Sequence, residues 1–276
     1  MNNIAKFYEE NQSIMTNYLM PSANDDFLQS VQMILSSEPK FKDVIADQRG
    51  RIQLIGALKT AASVGLSLNP ALGKAAIIPY KGQHGWIVSY QAMKNGLIDL
   101  ALNSGAVKYL TSGVVKEQDE FSLVNTPDGA SYTHAPARRD RGETDGYYAA
   151  LKFKTGESYA LYITREEART HAAKHSSNAK IENGDFKGQG AYRDSEDGMH
   201  VKTVIKMLLR NIHVSDDLAI AMAADDKYER EEREINPQPK TQSADDLADR
   251  LEQNGGEPAE EQAAKATENN GQGGMF

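Results

Sequence analysis

The fold turns on residues 75–90, AAIIPYKGQHGWIVSY. Two apolar runs, 75–80 and 86–90, flank a glycine-containing loop (KGQHG, 81–85), which is the pattern of a β-hairpin. Pro79 has no N–H for a ladder, so the first strand either ends there or lies at a sheet edge. On both sides the apolar spacing changes to that of helices. Upstream, residues 51–66 (RIQLIGALKTAASVGL) align Ile52, Ile55, Leu58, Ala62 and Leu66. Residues 24–36 do the same with Phe27, Leu28, Val31, Ile34 and Leu35, and carry Asp25 and Asp26 in the first turn, where carboxylates favour the helix dipole. Between helix and hairpin, the turn residues Asn69-Pro-Ala-Leu-Gly73 break the pattern. Downstream, residues 91–103 return to helical spacing and stop at Gly105.

From 106 to 163 the chain reads as short strands, VKYLTSGVV, EFSLVN, ASYTHA, YYAALKFK and ESYALYI, with turns at TPDG (126–129) and KTG (154–156). A helix over 164–175 follows, with Thr164 as N-cap and Glu167 at the third position, a capping box. Residues 176–190, rich in Ser, Asn and Gly, read as a mobile loop. The strongest late element is a helix over 198–212, followed by a short one from Ser215 through Met222. Helices bracketing a strand-rich middle define an α+β fold: a β-hairpin plus antiparallel strands, with an acidic, disordered C-terminal tail.

That tail follows from composition. The 276 residues carry a net charge of −8, and residues 229–276 hold 5 basic against 12 acidic side chains. The tail is nearly empty of aromatic and β-branched residues, so it cannot bury enough apolar surface to offset its ordering entropy. The chain therefore divides into a body, 1–228, and an acidic tail, 229–276. The pattern Ser243-Ala-Asp-Asp246 ahead of Leu247 and Leu251 marks either a solvated helical turn or a partner-docking segment. There is no cysteine, which excludes disulfides, thiol nucleophiles and iron–sulfur ligation. No uncharged apolar run reaches membrane-spanning length and no signal-peptide pattern opens the chain, so a soluble cytoplasmic protein is expected.

Patterns that could carry catalysis are few and incomplete. Gly65 to Lys74 (GLSLNPALGK) is too long for a phosphate loop, and Ala75 stands where the Mg²⁺-binding hydroxyl is required. Glu167, His171 and His175 share one helix face but lack the glutamate of a zinc protease. Glu182, Asp185 and Lys187 offer a weak nuclease triplet. No G-x-S-x-G is present. No cofactor is called for, and a magnesium requirement is left open.

Cations and aromatics carry more. Lys202, Lys206 and Arg210 recur every four residues, a stripe about 12 Å long at 1.5 Å per residue. Such a row can follow a phosphate backbone or be a plain solvated face. The hairpin region adds Lys74, Tyr80, Lys81, His84, Trp86, Tyr90 and Lys94, a mixture suited to phosphates and bases. Trp86 and Tyr90, alternate residues on one strand face, fit core packing equally well. Arg138 and Arg139 are further phosphate candidates in a loop.

Two ordered blocks complete the reading. The first runs through Gly65-Leu66, Asn69-Pro-Ala-Leu-Gly73, Ile77-Ile-Pro-Tyr80, Leu97-Ile-Asp-Leu-Ala101 and Ser104-Gly105, then Val114-Val-Lys-Glu117 and Asp119-Glu-Phe121. The second is Met199-His-Val-Lys-Thr203, with Lys206 and then Val214-Ser215. Together they resemble the RecT-type single-strand annealing proteins of phages and prophages, over residues 55–222. The chain departs where that family often carries a tryptophan, having Tyr192 and Glu196 instead. The resemblance implies an ATP-independent, non-enzymatic recombinase that coats single-stranded DNA without sequence preference and pairs complementary strands. It further implies a ring or helical filament of identical subunits, a phage 5′→3′ exonuclease as partner and a bacterial cytoplasm as its setting. Host single-strand-binding protein is a candidate partner for the tail. The rival readings are a passive single-strand coat and a Mg²⁺-dependent nuclease.

Overall fold

In the first half of the chain one residue serves two helices. In the computed structural model, which describes residues 3–17, 24–82, 85–176, 179–182, 185–187 and 191–235, Asp47 both ends helix α3 (Lys40–Ala46) and opens helix α4 (Gln48–Val64). Its side chain accepts a hydrogen bond from the Gly50 N–H at 2.7 Å, satisfying a donor that the first helical turn leaves without a partner. Gly65 closes α4 at φ 69°, a left-handed C-cap that a side chain would disfavour. Two further helices, α1 (Asn3–Thr16) and α2 (Asn24–Ser37), pack with them through Phe7, Met15, Val31, Leu35 and Phe41, all nearly inaccessible. Each such side chain contributes about 1.5–3 kcal/mol by leaving water.

The sequence reading begins its helices at 24 and so omits α1 and α3. Helix α1 buries only Ile4, Phe7 and Met15 over fourteen positions, and α3, though it buries Phe41, Val44 and Ile45, is barely two turns long, too short to show a period. Their helicity comes from packing more than from period.

The hairpin forms as expected, β1 (Ala75–Gly82) against β2 (Gly85–Ala92), with Ile77 opposite Tyr90 and Lys81 opposite Trp86. β1 runs through Pro79 because this sheet has two strands and both are edges. Opposite Pro79, the Val88 N–H points out of the ladder and donates to Gln53 Oε1 of α4 at 2.8 Å. Pro79 therefore lacks its N–H at a pair where no ladder bond is made. Helix α5 (Lys94–Asn103) follows, pressed so closely on the strand entry that a Cβ on Gly96 would lie 2.1 Å from the Lys74 carbonyl oxygen.

A second sheet has the order β3-β6-β7: β3 (Val107–Lys116), β6 (Thr144–Phe153) and β7 (Ser158–Thr164). The hairpin β4 (Glu120–Thr126) and β5 (Gly129–Ala135) leans on β7, where Ser158 Oγ donates to the Ala130 carbonyl and accepts from its N–H. Asp119 ties down the turn before β4. It accepts from the Lys116 and Ala137 N–H groups at 3.0 and 2.9 Å, takes Arg141 on both oxygens and meets His134 Nε2 at 3.1 Å. The Arg141 guanidinium, aided by His134 and the two N–H groups, holds this carboxyl well below the usual carboxylate range despite its burial. The motif residue Asp119 thus has a structural task.

Helix α6 (Arg165–His175) carries the expected capping box between Thr164 and Glu167. The segment read as a loop contains a short antiparallel pair, β8 (Lys180–Glu182) and β9 (Asp185–Lys187), closed inward by Phe186 against Tyr192. Helix α7 (Ala191–Asp194) leads into α8 (Glu196–Arg210), which lays Val201, Val204, Ile205 and Leu208 on the β3-β6-β7 sheet. Helix α9 (Asp216–Ile235) packs on β2, α4 and α5. It continues well beyond Met222, where the sequence reading stops it. The segment 236–276, with most of the acidic tail and Ser243–Asp246, lies outside the described residues, as does His84.

Candidate nucleic-acid interface

Helix α8 has two jobs. Its apolar positions rest on the sheet, and its cations at 202, 206 and 210 face α9. Lys202 and Lys206 are not a solvated stripe: they are 8% and 5% exposed. The reason lies on α9, where Asp225 falls in line with Leu218, Ala221 and Met222, the buried face of that helix. A carboxylate in such a position must find charged partners or pay heavily for leaving water. Asp225 finds two. Lys202 Nζ donates to its Oδ1 at 3.0 Å and Lys206 Nζ to its Oδ2 at 2.5 Å. The adjacent Asp226 takes Lys206 at 3.1 Å and the exposed Arg210 at 2.6 Å. Tyr90 of β2 sits beside them, its phenol pushed up by burial and by the Asp225 charge.

Beside this network a cleft of about 470 Å³ opens between the hairpin and α8. One wall is Ile78, Gln91, Met93 and Lys94; the other includes Met199, Lys202, Thr203 and Lys206, with His171, His175 and Tyr192 toward α6 and α7. The lining is mainly apolar, with the cations at separate points. Helix α5 begins at this wall with no side chain capping Met93 and no acid in its first turn, so its positive end adds to Lys94.

The structure brings Lys94, Lys202 and Lys206 into one cleft. Tyr80 lies on the same strand face as Ile78, two residues along, with its hydroxyl 3.2 Å from Ser89 Oγ. Arg210 is one turn further along α8. Lys74 instead pairs with Asp99 at 2.6 Å, and Lys81 is exposed at the hairpin tip. Arg138 and Arg139 are exposed in the β5–β6 connection and do not line the cleft. Tyr90 is 3% exposed and Trp86 packs against the core, both on the inward face of β2. For these two, core packing is the answer.

The metal and nuclease patterns fare differently from their spacing. Glu167 accepts from the Thr164 N–H at 2.8 Å in the capping box, which occupies it, while His171 and His175 stack with ring centroids 4.3 Å apart. Burial, then the charges of His175, Arg210 and Lys206, push His171 down to about 4. Glu182 and Asp185 face each other across the exposed β8–β9 pair, with Lys187 Nζ 3.9 Å from Asp185. Among the described residues no three His, Asp or Glu side chains are placed to hold a metal. The segment 65–74 runs into a strand, without the helix N-terminus that a phosphate loop needs.

Sequence reasoning missed Asp225 and Asp226. The available signal was Asp225 itself, a charge on an otherwise apolar helix face. Glu196, where a tryptophan was the family pattern, grips Arg169 at 2.6 and 2.8 Å and Arg165 at 3.3 Å, locking α6 to α8.

A mixed fold with a cation-bearing apolar cleft and motifs spread along most of the chain defines a class, and comparison with known proteins gives it a family. A model of the RecT family matches residues 25–241, and the chain belongs to that family. It is 26% identical over 184 residues to Protein RecT of Escherichia coli (strain K12). That match covers 64% of this chain and 63% of that protein, so the chain spans less than two thirds of the relative's length. Among the described residues no helix is long and apolar enough to cross a membrane.

Proposed function

We propose that this protein binds single-stranded DNA along the cleft between the hairpin and α8 and pairs complementary strands, as a single-strand annealing protein of homologous recombination. The observation that carries the reading is the family match over residues 25–241, which includes every element of the cleft. The chemistry agrees. Annealing forms no covalent bond; it needs cations to offset two repelling backbones, with bases left free to pair. Lys94, the open end of α5 and Lys202 and Lys206 supply positive charge at one cleft, and the apolar lining suits base or sugar faces. Binding of this kind ignores sequence, weakens with salt and requires no nucleotide. A subunit contacting a few phosphates gains from assembly, so rings or filaments follow by the same logic. A 5′→3′ exonuclease would supply the single strands, and the segment 229–276 would recruit host single-strand-binding protein in the bacterial cytoplasm.

The test is fluorescence-monitored annealing of two complementary oligonucleotides added in sequence, without nucleotide. Wild type accelerates pairing, and Lys202→Gln/Lys206→Gln/Asp225→Asn, which leaves no carboxylate stranded at that position, loses the acceleration while remaining folded. Glutamine is preferred to glutamate, because a new carboxylate at these buried positions would unfold the site for trivial reasons. Binding of the first strand that blocks pairing would assign a passive coat instead. Mg²⁺-dependent loss of labelled strand, abolished by Asp185→Ala, would assign a nuclease.

A further inference from the structure

We propose that Asp225 is a positioning residue for strand binding: it fixes the Lys202 and Lys206 ammonium groups at the cleft wall so that a carboxylate strengthens the protein's hold on an anion. The inference rests on the reading of the cleft as the DNA site. Asp225 is fully buried, and each of its oxygens takes one lysine. Among the described residues, two carboxylates on α9, Asp225 and Asp226, face three cations on α8.

What Asp225 contributes is order. A free lysine gives up about 2 kcal/mol of rotamer freedom when a ligand fixes it. Here that cost is met on folding, and the strand meets ammonium groups already in place. Among the described residues the groups around the pair include Asp226 on α9, Arg210 on α8, Tyr90 on β2, His171 and His175 on α6 and Lys94 on α5; Asp225 supplies a buried counter-charge to both lysines at once. A removable acidic plug would make the same ion pairs, but it would have to detach. Leu218, Ala221 and Met222 hold α9 in the core beside Asp225.

The two ideas predict opposite signs. Binding of a fluorescein-labelled oligothymidine to the full chain is measured by anisotropy for wild type, Asp225→Asn, Lys202→Gln/Lys206→Gln and the triple variant, with folding checked by circular dichroism. Asp225→Asn makes the protein less acidic, yet affinity falls about tenfold, the worth of one or two charge-assisted contacts. In the lysine-free background the same change has no further effect. Tighter or unchanged binding by Asp225→Asn overturns the proposal, as does an equal loss in the lysine-free background. If Lys202→Gln/Lys206→Gln binds as wild type does, the cleft reading itself fails, and the proposal with it. Should Asp225→Asn not fold, Asp226→Asn at the surface decides: about threefold weaker binding supports the proposal and tighter binding overturns it.

Discussion

Arg169 on α6 meets Glu196 on α8 with two parallel contacts, Nε to Oε1 at 2.6 Å and Nη2 to Oε2 at 2.8 Å. This is the fork geometry that makes arginine–carboxylate pairs directional as well as strong. Burial alone would raise the Glu196 pKa, but Arg169 and Arg165 overcome it and hold the carboxyl below its ordinary value.

Replacing Glu196 by Gln leaves Arg169 without its counter-charge, and the protein loses about 1–3 kcal/mol in urea denaturation at pH 7. A depressed carboxylate stabilises above its unfolded pKa and ceases to do so as pH falls through the folded one. The gap between wild type and Glu196→Gln therefore closes on acidification. A gap that is constant from pH 7 to pH 3 would refute the assignment.

His200 predicts a second pH dependence. Its ring is fully buried among Tyr147, Phe186 and Tyr192, and burial pushes it down to about 4. The unfolded chain takes up the proton from about pH 6.5 downward, whereas the native protein resists it until about pH 4. Stability is therefore full above pH 6.5 and declines between those values, by roughly 3 kcal/mol in all. His200→Phe keeps the ring packing and removes the titration. Its urea midpoint should change less than that of wild type between pH 7 and pH 4.5.

Gly96→Ala places a methyl group against the Lys74 carbonyl oxygen, which belongs to backbone and cannot swing aside. The strain costs about 1–3 kcal/mol and lowers the melting temperature by roughly 2–4 °C per kcal/mol. A thermal scan of the purified variant reads it directly.

Lys94→Gln tests the hairpin side of the cleft. If Lys94 meets one phosphate, the slope of log affinity against log salt for a single strand becomes shallower by about 0.7. An equal change for Lys74→Gln would weaken the distinction drawn here, since Lys74 is tied to Asp99.

The hairpin, the strands between 107 and 164 and the capping box of α6 were legible because each depends on residues close in sequence: a turn, an alternation, a Thr–Glu spacing. Helix α9 was cut short because its apolar face gives way to charge after Met222. The site was legible on one side. Lys94, Lys202 and Lys206 announced themselves as cations, but their burial could not be read, because their partners Asp225 and Asp226 come from another helix. A stripe with no acid near it in sequence, from Val201 to Ser215, is not a stripe without acids in space. Trp86 and Tyr90 went to the core for a local reason, the strand's two-residue period, which alone could not say which face was inward.

Finally, the sheets on either side of the cleft share no ladder: β1 bonds to β2, and β3, β6 and β7 bond among themselves. The cleft is the seam between these halves, one wall carried by the hairpin and the other by α8 on its sheet. Spreading that seam would break side-chain contacts and leave every strand-to-strand hydrogen bond intact. The cleft is thus bounded by two stiff ladders that only side chains join, the Asp225 ion pairs among them.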